Sequence, residues 1–122
     1  MSETFPIIYK AHRFLQGIVK FEGQGLDKPA SLNPKLAYTV PSDRRARPLY
    51  IRAGNSSSEM VYLVLIRNDK PMRYCPIAAK GGIDVGFHVI DEVPGGTVLE
   101  VCFAAPENVQ GTFVIDVGFE ET

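Results

Sequence analysis

Apolar and polar residues alternate one by one along several stretches of this chain. Gly111 to Phe119 is the clearest. Phe113, Ile115, Val117 and Phe119 fall on one side, and Thr112, Val114, Asp116 and Gly118 on the other. Successive side chains of a strand project to opposite faces, so a period of two predicts a half-buried β-strand. Thr97 to Ala104 repeats it, with Leu99, Val101 and Phe103 set against Val98, Glu100 and Cys102. Val85 to Asp91 sets Val85, Phe87 and Val89 against His88 and Ile90. Pro48 to Ala53, and the piece holding Leu36, Tyr38 and Val40, are shorter instances. Lys10 to Gln16 lacks this regularity and reads as one short helical turn. Gly23 to Pro34 reads as a loop.

Met60 to Arg67 follows a different rule. Val61, Leu63 and Leu65 lie on one side and Tyr62, Val64 and Ile66 on the other, so both faces are apolar. That pattern predicts a strand covered on both sides. One side meets the core. The other needs a cover, either a second copy of the chain or a segment such as Phe5 to Phe21. Tyr62, Val64 and Ile66 are therefore the candidate interface residues of a homo-oligomer, most simply a two-fold dimer.

Turn chemistry divides these pieces. Asn68-Asp69-Lys70-Pro71 ends the doubly apolar strand. Gly81-Gly82 and Pro94-Gly95-Gly96 supply tight reversals, and Pro106 to Gly111 reads as a hairpin loop between the last two strands. Short strands at such spacing imply an all-β antiparallel β-sandwich, jelly-roll-like, of about eight strands. A chain of 122 residues fits one such domain, residues 1–122. The core of this sandwich should hold Leu63, Leu65, Leu99, Val101, Phe103, Phe113, Ile115 and Val117.

Charge changes the picture. All 13 Lys and Arg lie between Lys10 and Lys80, where the first 80 positions hold 6 acids; residues 81–122 hold 8 acids and no base. The first two thirds and the last third therefore carry opposite charge. Either they pair across one sandwich, or they form two patches that attract a partner. The acidic last part and a pI near 6.1 speak against nucleic acid. No apolar run approaches the length of a membrane span. Met1 to Pro6 has neither the basic nor the apolar region of a secretory signal, so a cytoplasmic location is expected.

The candidate chemistry is sparse. Arg44, Arg45 and Arg47 form a basic cluster that, with Tyr50 and Arg52, could bind an anionic or other small ligand. Tyr38, Tyr50, Tyr62 and Tyr74 recur on strand positions and would suit stacking on a sugar or peptide if they share an exposed face. His88 stands alone, without the clustered histidines and carboxylate of a metal centre. Asp84, Asp91 and Glu92 flank turns and read as solvated acids before they read as calcium ligands. Cys75 and Cys102 are expected as packed free thiols. A Cys102 nucleophile would need a base and an orienting group, with Glu100 and His88 as the nearest options. No phosphate-loop or dinucleotide fingerprint is present. No catalytic residue, metal or cofactor is assigned.

From Ala37 onward the chain resembles bacterial pre-peptidase C-terminal type domains and related carbohydrate-binding sandwiches. The likeness rests on Pro48-Leu49-Tyr50-Ile51, on Tyr62 to Ile66, and on Pro94-Gly95-Gly96-Thr97 with Val98 to Phe103 and Gly111 to Ile115. It implies a non-catalytic β-sandwich. The expected function is a non-catalytic binding or assembly module, a small homo-oligomer that engages a protein or a small ligand. The alternative is a carbohydrate-binding type domain, with an enzyme using Cys or His chemistry behind it.

Overall fold

A computed structural model describes residues 9–122, and these form nine strands and no helix. They are β1 (Ala11–Glu22), β2 (Ala30–Thr39), β3 (Arg45–Asn55), β4 (Val61–Arg67), β5 (Lys70–Ile77), β6 (Gly82–Gly86), β7 (Val93–Pro94), β8 (Val98–Ala104) and β9 (Gln110–Glu121). One antiparallel sheet, here the front sheet, has the order β1-β9-β3-β6, with the two-residue β7 also on β3. The back sheet has the order β2-β8-β4-β5. Thus β1 pairs β9, β2 pairs β8, β3 pairs β6 and β4 pairs β5. That is one long double ribbon rolled into two layers, the winding of a jelly roll. The chain is an all-β sandwich.

The alternating residues meet between the layers. Phe113, Val117, Phe119, Leu63, Leu99 and Val101 have no exposed surface, and Leu65, Ile115 and Phe103 are buried with them. Phe113 sits at the centre. It stacks on Phe21 at 4.2 Å between ring centroids and takes the edge of Phe103 at 5.8 Å. Burying a large aromatic ring in this way contributes several kcal/mol and dominates a core of this size.

Four sequence expectations give way. The stretch Lys10 to Gln16 is not helical; Ala11 to Gln16 opens the long strand β1, whose exposed Phe14 and Ile18 hide its alternation. The supposed loop up to Pro34 already contains the start of β2, interrupted by a register shift between Ser31 and Leu36 and a cis Asn33–Pro34 bond. The strand expected over Val85 to Asp91 stops at Gly86, and Val89 and Ile90 are exposed in the segment that follows. Pro106 to Gly111 is not a hairpin loop, since β8 lies in the back sheet and β9 in the front. The genuine hairpin joins β4 to β5. Asn68 and Asp69 both have positive φ there, the left-handed pair of a two-residue turn that matches strand twist.

The doubly apolar β4 lies inside the back sheet between β8 and β5. On its outer face Val64 has no exposed surface, while Tyr62 and Ile66 are half-buried. Val64 is flanked by Cys102 on β8 and Tyr74 on β5. The Tyr62 ring meets Tyr74 edge-on at 5.5 Å, and its hydroxyl donates to the Leu26 carbonyl at 2.7 Å. The segment joining β1 to β2 thus tethers this end of the face. Phe5 to Ile8 lie outside the described residues. The rest of the segment considered as a cover runs into β1 in the other sheet.

The charge split resolves within the chain. Every ion pair among the described residues, Arg44–Asp43 apart, joins a base before residue 81 to an acid after it. The ribbon winding lays the acidic late strands against the basic early ones.

Candidate functional site: the open face of the front sheet

Strand β3 carries most of the basic cluster. Arg45 and Arg47 point outward, on either side of the buried Ala46. Strict alternation would then turn Tyr50 and Arg52 inward. A register shift between Pro48 and Tyr50 prevents this by adding one residue to β3. Pro48 has no N–H for the ladder, and a bulge is where an interior strand tolerates proline. Arg45, Arg47, Tyr50 and Arg52 therefore share the outer face of the front sheet. Arg44 precedes the strand; its guanidinium lies over the Tyr9 ring, 3.6 Å from the centroid. Arg45 and Arg47 both approach Glu92, at 3.6 and 3.9 Å.

The register arranges the middle of this face in three rows. Phe14, Gly118, Tyr50 and Gly86 form the first; Gln16, Asp116, Arg52 and Asp84 the second; Ile18, Val114, Gly54 and Gly82 the third. The second row is polar and tightly bonded. Asp116 accepts from Arg52 at 2.6 Å, from Gln16 at 3.0 Å and from the Tyr50 hydroxyl at 3.0 Å. Partial burial raises its pKa, but the hydrogen bonds from Arg52, Gln16 and Tyr50 outweigh it and hold the carboxyl below its ordinary value. Tyr50 moves up, through partial burial and then its bond to Asp116. The strip is thus a fixed ion pair with a protonated tyrosine, not a poised acid and base.

Apolar side chains frame the strip. Phe14 is 54%, Ile18 76% and Val114 55% exposed. The glycines shape the surface between them. At Gly118 a Cβ would collide with the Tyr50 ring, so the missing side chain lets that ring lie flat across β9. Gly54 leaves a shallow depression of about 560 Å³ lined by Arg52, Ala53, Gly54, Ile83, Val114 and Asp116. A smaller hollow of about 340 Å³ lies on the other side of Arg52, against Tyr50 and Asp84.

Two other polar clusters serve packing. Glu121 is on the core side of β9 and only 1% exposed. It accepts from the Tyr38 hydroxyl, from Tyr9 at 2.7 Å and from Arg13 at 3.1 Å. The Tyr38 bond, with those of Tyr9 and Arg13, overcomes the cost of burial and keeps the carboxylate ionised below its ordinary pKa. On the back sheet, Glu100 accepts from the Ser31 hydroxyl at 2.6 Å and lies 3.6 Å from Lys35.

The cysteines are buried and free. Burial, and then the neighbouring Glu100, push the Cys102 thiol up to about 12; burial also raises Cys75. His88 is exposed, in the segment after β6 of the opposite sheet, so Cys102, Glu100 and His88 do not assemble. Among the described residues no three of His, Cys, Asp and Glu gather as metal ligands. Asp91 binds Arg73 at 2.7 Å, Glu92 faces Arg45 and Arg47, and Asp84 sits beside Arg52. Among the described residues no helix is long and apolar enough to cross a membrane.

Tyr50 and Arg52 are the sequence candidates that stand at the centre of this face, with Arg45 and Arg47 at its end. Phe14 and Gln16 fall in the stretch Lys10 to Gln16 that the sequence reads as a helical turn, and Ile18 lies just beyond it, outside any strand that the alternation predicts. Val114 and Asp116 were visible as outward positions of β9. Neither a known family model nor any curated protein matches the sequence.

Proposed function

We propose that this chain is a non-catalytic binding module that works through the outer face of its front sheet and forms a small homo-oligomer. The observation that carries the reading is Phe14, Ile18 and Val114 exposed together around the bonded Arg52–Asp116 pair. Scattered surface hydrophobes are ordinary, but an apolar frame around a fixed polar centre is how contact surfaces are built. The raised thiols and the separation of His88 from Cys102 favour binding over catalysis. Basic residues already matched by acids favour a protein or small ligand over nucleic acid. Two free buried cysteines suit the reducing cytoplasm.

A carbohydrate is the second reading, and Tyr50 favours it. A tyrosine ring laid flat on a sheet, beside Arg52, Gln16 and two aspartates, offers a stacking platform with hydroxyl-binding groups around it. The resemblance to carbohydrate-binding sandwiches points the same way. Titrating isotope-labelled protein with soluble oligosaccharides and with apolar peptides, followed by amide NMR, tests both. Shifts centred on Gln16, Tyr50, Arg52, Asp84 and Asp116 are expected, with sugars moving Tyr50 most under the second reading. Shifts confined to the back sheet would contradict both.

A further inference from the structure

The four strands that border the two sheets are not alike. In the back sheet, β2 is broken by its register shift beside Pro34, and β5 carries Pro71 and Pro76. In the front sheet, β6 is five residues long. Prolines, bulges and brevity keep sheet edges from pairing with other chains. β1 has none of them. It runs twelve residues without proline, and β9 is the one strand hydrogen-bonded to it among the described residues. Leu36 of β2 packs beneath Gly17, 3.7 Å from where a Cβ would lie, so β2 sits under β1 on the core side.

The direction of the edge groups follows from the ladder. Just past β1, the Gly23 N–H donates to the Val109 carbonyl at 2.7 Å, continuing the β1–β9 register. On the other side of β9, the Ser56 N–H donates to the Thr112 carbonyl. Alternate residues of an antiparallel strand bond to the same neighbour. The odd residues of β1 therefore bond β9. The N–H and C=O of His12, Phe14, Gln16, Ile18 and Lys20 point to the free edge.

We propose that two copies of this chain pair antiparallel along β1, with a two-fold axis at Gln16, joining their front sheets into one. This rests on the front face being a contact surface, and it names a second copy as the partner. The register is chosen by complementarity. With the axis at Gln16, Phe14 of each copy lies opposite Ile18 of the other, Lys10 opposite Glu22, and His12 opposite Lys20. Moving the axis to Gly17 would set Phe14 against Lys20 and Gln16 against Ile18. Cross-strand apolar pairs and opposite charges favour the first arrangement. A two-fold contact of this kind closes on itself and uses up both free edges.

Sedimentation of the full chain at micromolar concentration should show a dimer. Gln16→Lys sets like charges against each other at the axis while keeping Asp116 as an in-chain partner, so folding should survive by circular dichroism. It should weaken the dimer by about two- to five-fold. Paired residues across such a ladder have Cα atoms about 5.5 Å apart, within reach of a disulfide. Gln16→Cys should therefore give a covalent dimer on mild oxidation and Ile18→Cys should not, with Cys75 and Cys102 buried away from the reaction. A monomer, a dimer indifferent to Gln16→Lys, or cross-linking at Ile18→Cys instead would overturn the pairing. A monomer whose Tyr50 and Arg52 signals still respond to ligand would remove the pairing and leave the binding module standing. A cross-linked dimer with no ligand response would support the pairing and confine the module's role to self-assembly.

Discussion

Val64 and Val114 occupy equivalent places: each points outward from an interior strand of its sheet. Val64 has no exposed surface, whereas Val114 is 55% exposed. The difference lies in their neighbours. Val64 on β4 stands between Tyr74 and Cys102, and Tyr62 beside them is tied to the Leu26 carbonyl. Val114 on β9 stands between Ile18 and Gly54, with Gly82 one strand further. On the back face large side chains close over Val64, although Tyr74 itself is 60% exposed. On the front face the glycines leave Ile18 and Val114 uncovered.

The two carboxylates of β9 repeat that contrast through the thickness of one sheet and supply the largest expected effect. Glu121 faces the core and Asp116 faces outward. Glu121→Ala leaves Tyr38 and Arg13 without their buried partner and should cost about 2–3 kcal/mol in urea unfolding. Asp116→Ala removes an exposed pair and should cost less than about 1 kcal/mol. Because the folded pKa of Glu121 lies below its ordinary 4.5, its stabilisation is complete above that value and is lost as pH falls through and below it. The acid limb of the unfolding curve should therefore flatten in Glu121→Ala. An unchanged limb would mean that Glu121 is not the group that matters.

The valines give the next effect. Val64→Ala should destabilise by about 2 kcal/mol, since it opens a void in a covered site. Val114→Ala should stay within about 0.5 kcal/mol. Equal costs would erase the distinction between the faces. The smallest effect belongs to the thiols. Cys75 and Cys102 should react with a thiol-specific reagent only on the timescale of unfolding, because burial holds both protonated. Fast labelling of Cys102 in the native state would show the back face to be open after all.

Much of the sandwich was legible because β8, β9 and the part of β3 after its bulge alternate, and because β4 is apolar on both faces. What escaped has physical reasons. In β1, Phe14 and Ile18 place apolar groups on the solvent side, which erases the alternation that marks a strand. The feature that hides β1 in the sequence is the one that makes its face a candidate surface. In β2, Pro34 and the interrupted register look like a loop. The bulge after Pro48 turns Tyr50 and Arg52 onto the same side as Arg47, which depends on pairing with β9 and is invisible in β3 alone. The burial of Glu121 is equally non-local, set by Tyr38 and Arg13 from two other strands.

The central claim is that the front face, not the back, is where this protein meets its partner. Methyl-detected NMR with a soluble paramagnetic agent tests it most directly. In dilute free protein, Ile18 and Val114 signals should bleach and Val64 should not. With ligand bound, Ile18 and Val114 should become shielded, while the exposed Val89 and Val98 stay bleached. Shielding at Val89 or Val98 with Ile18 and Val114 still bleached would contradict the account.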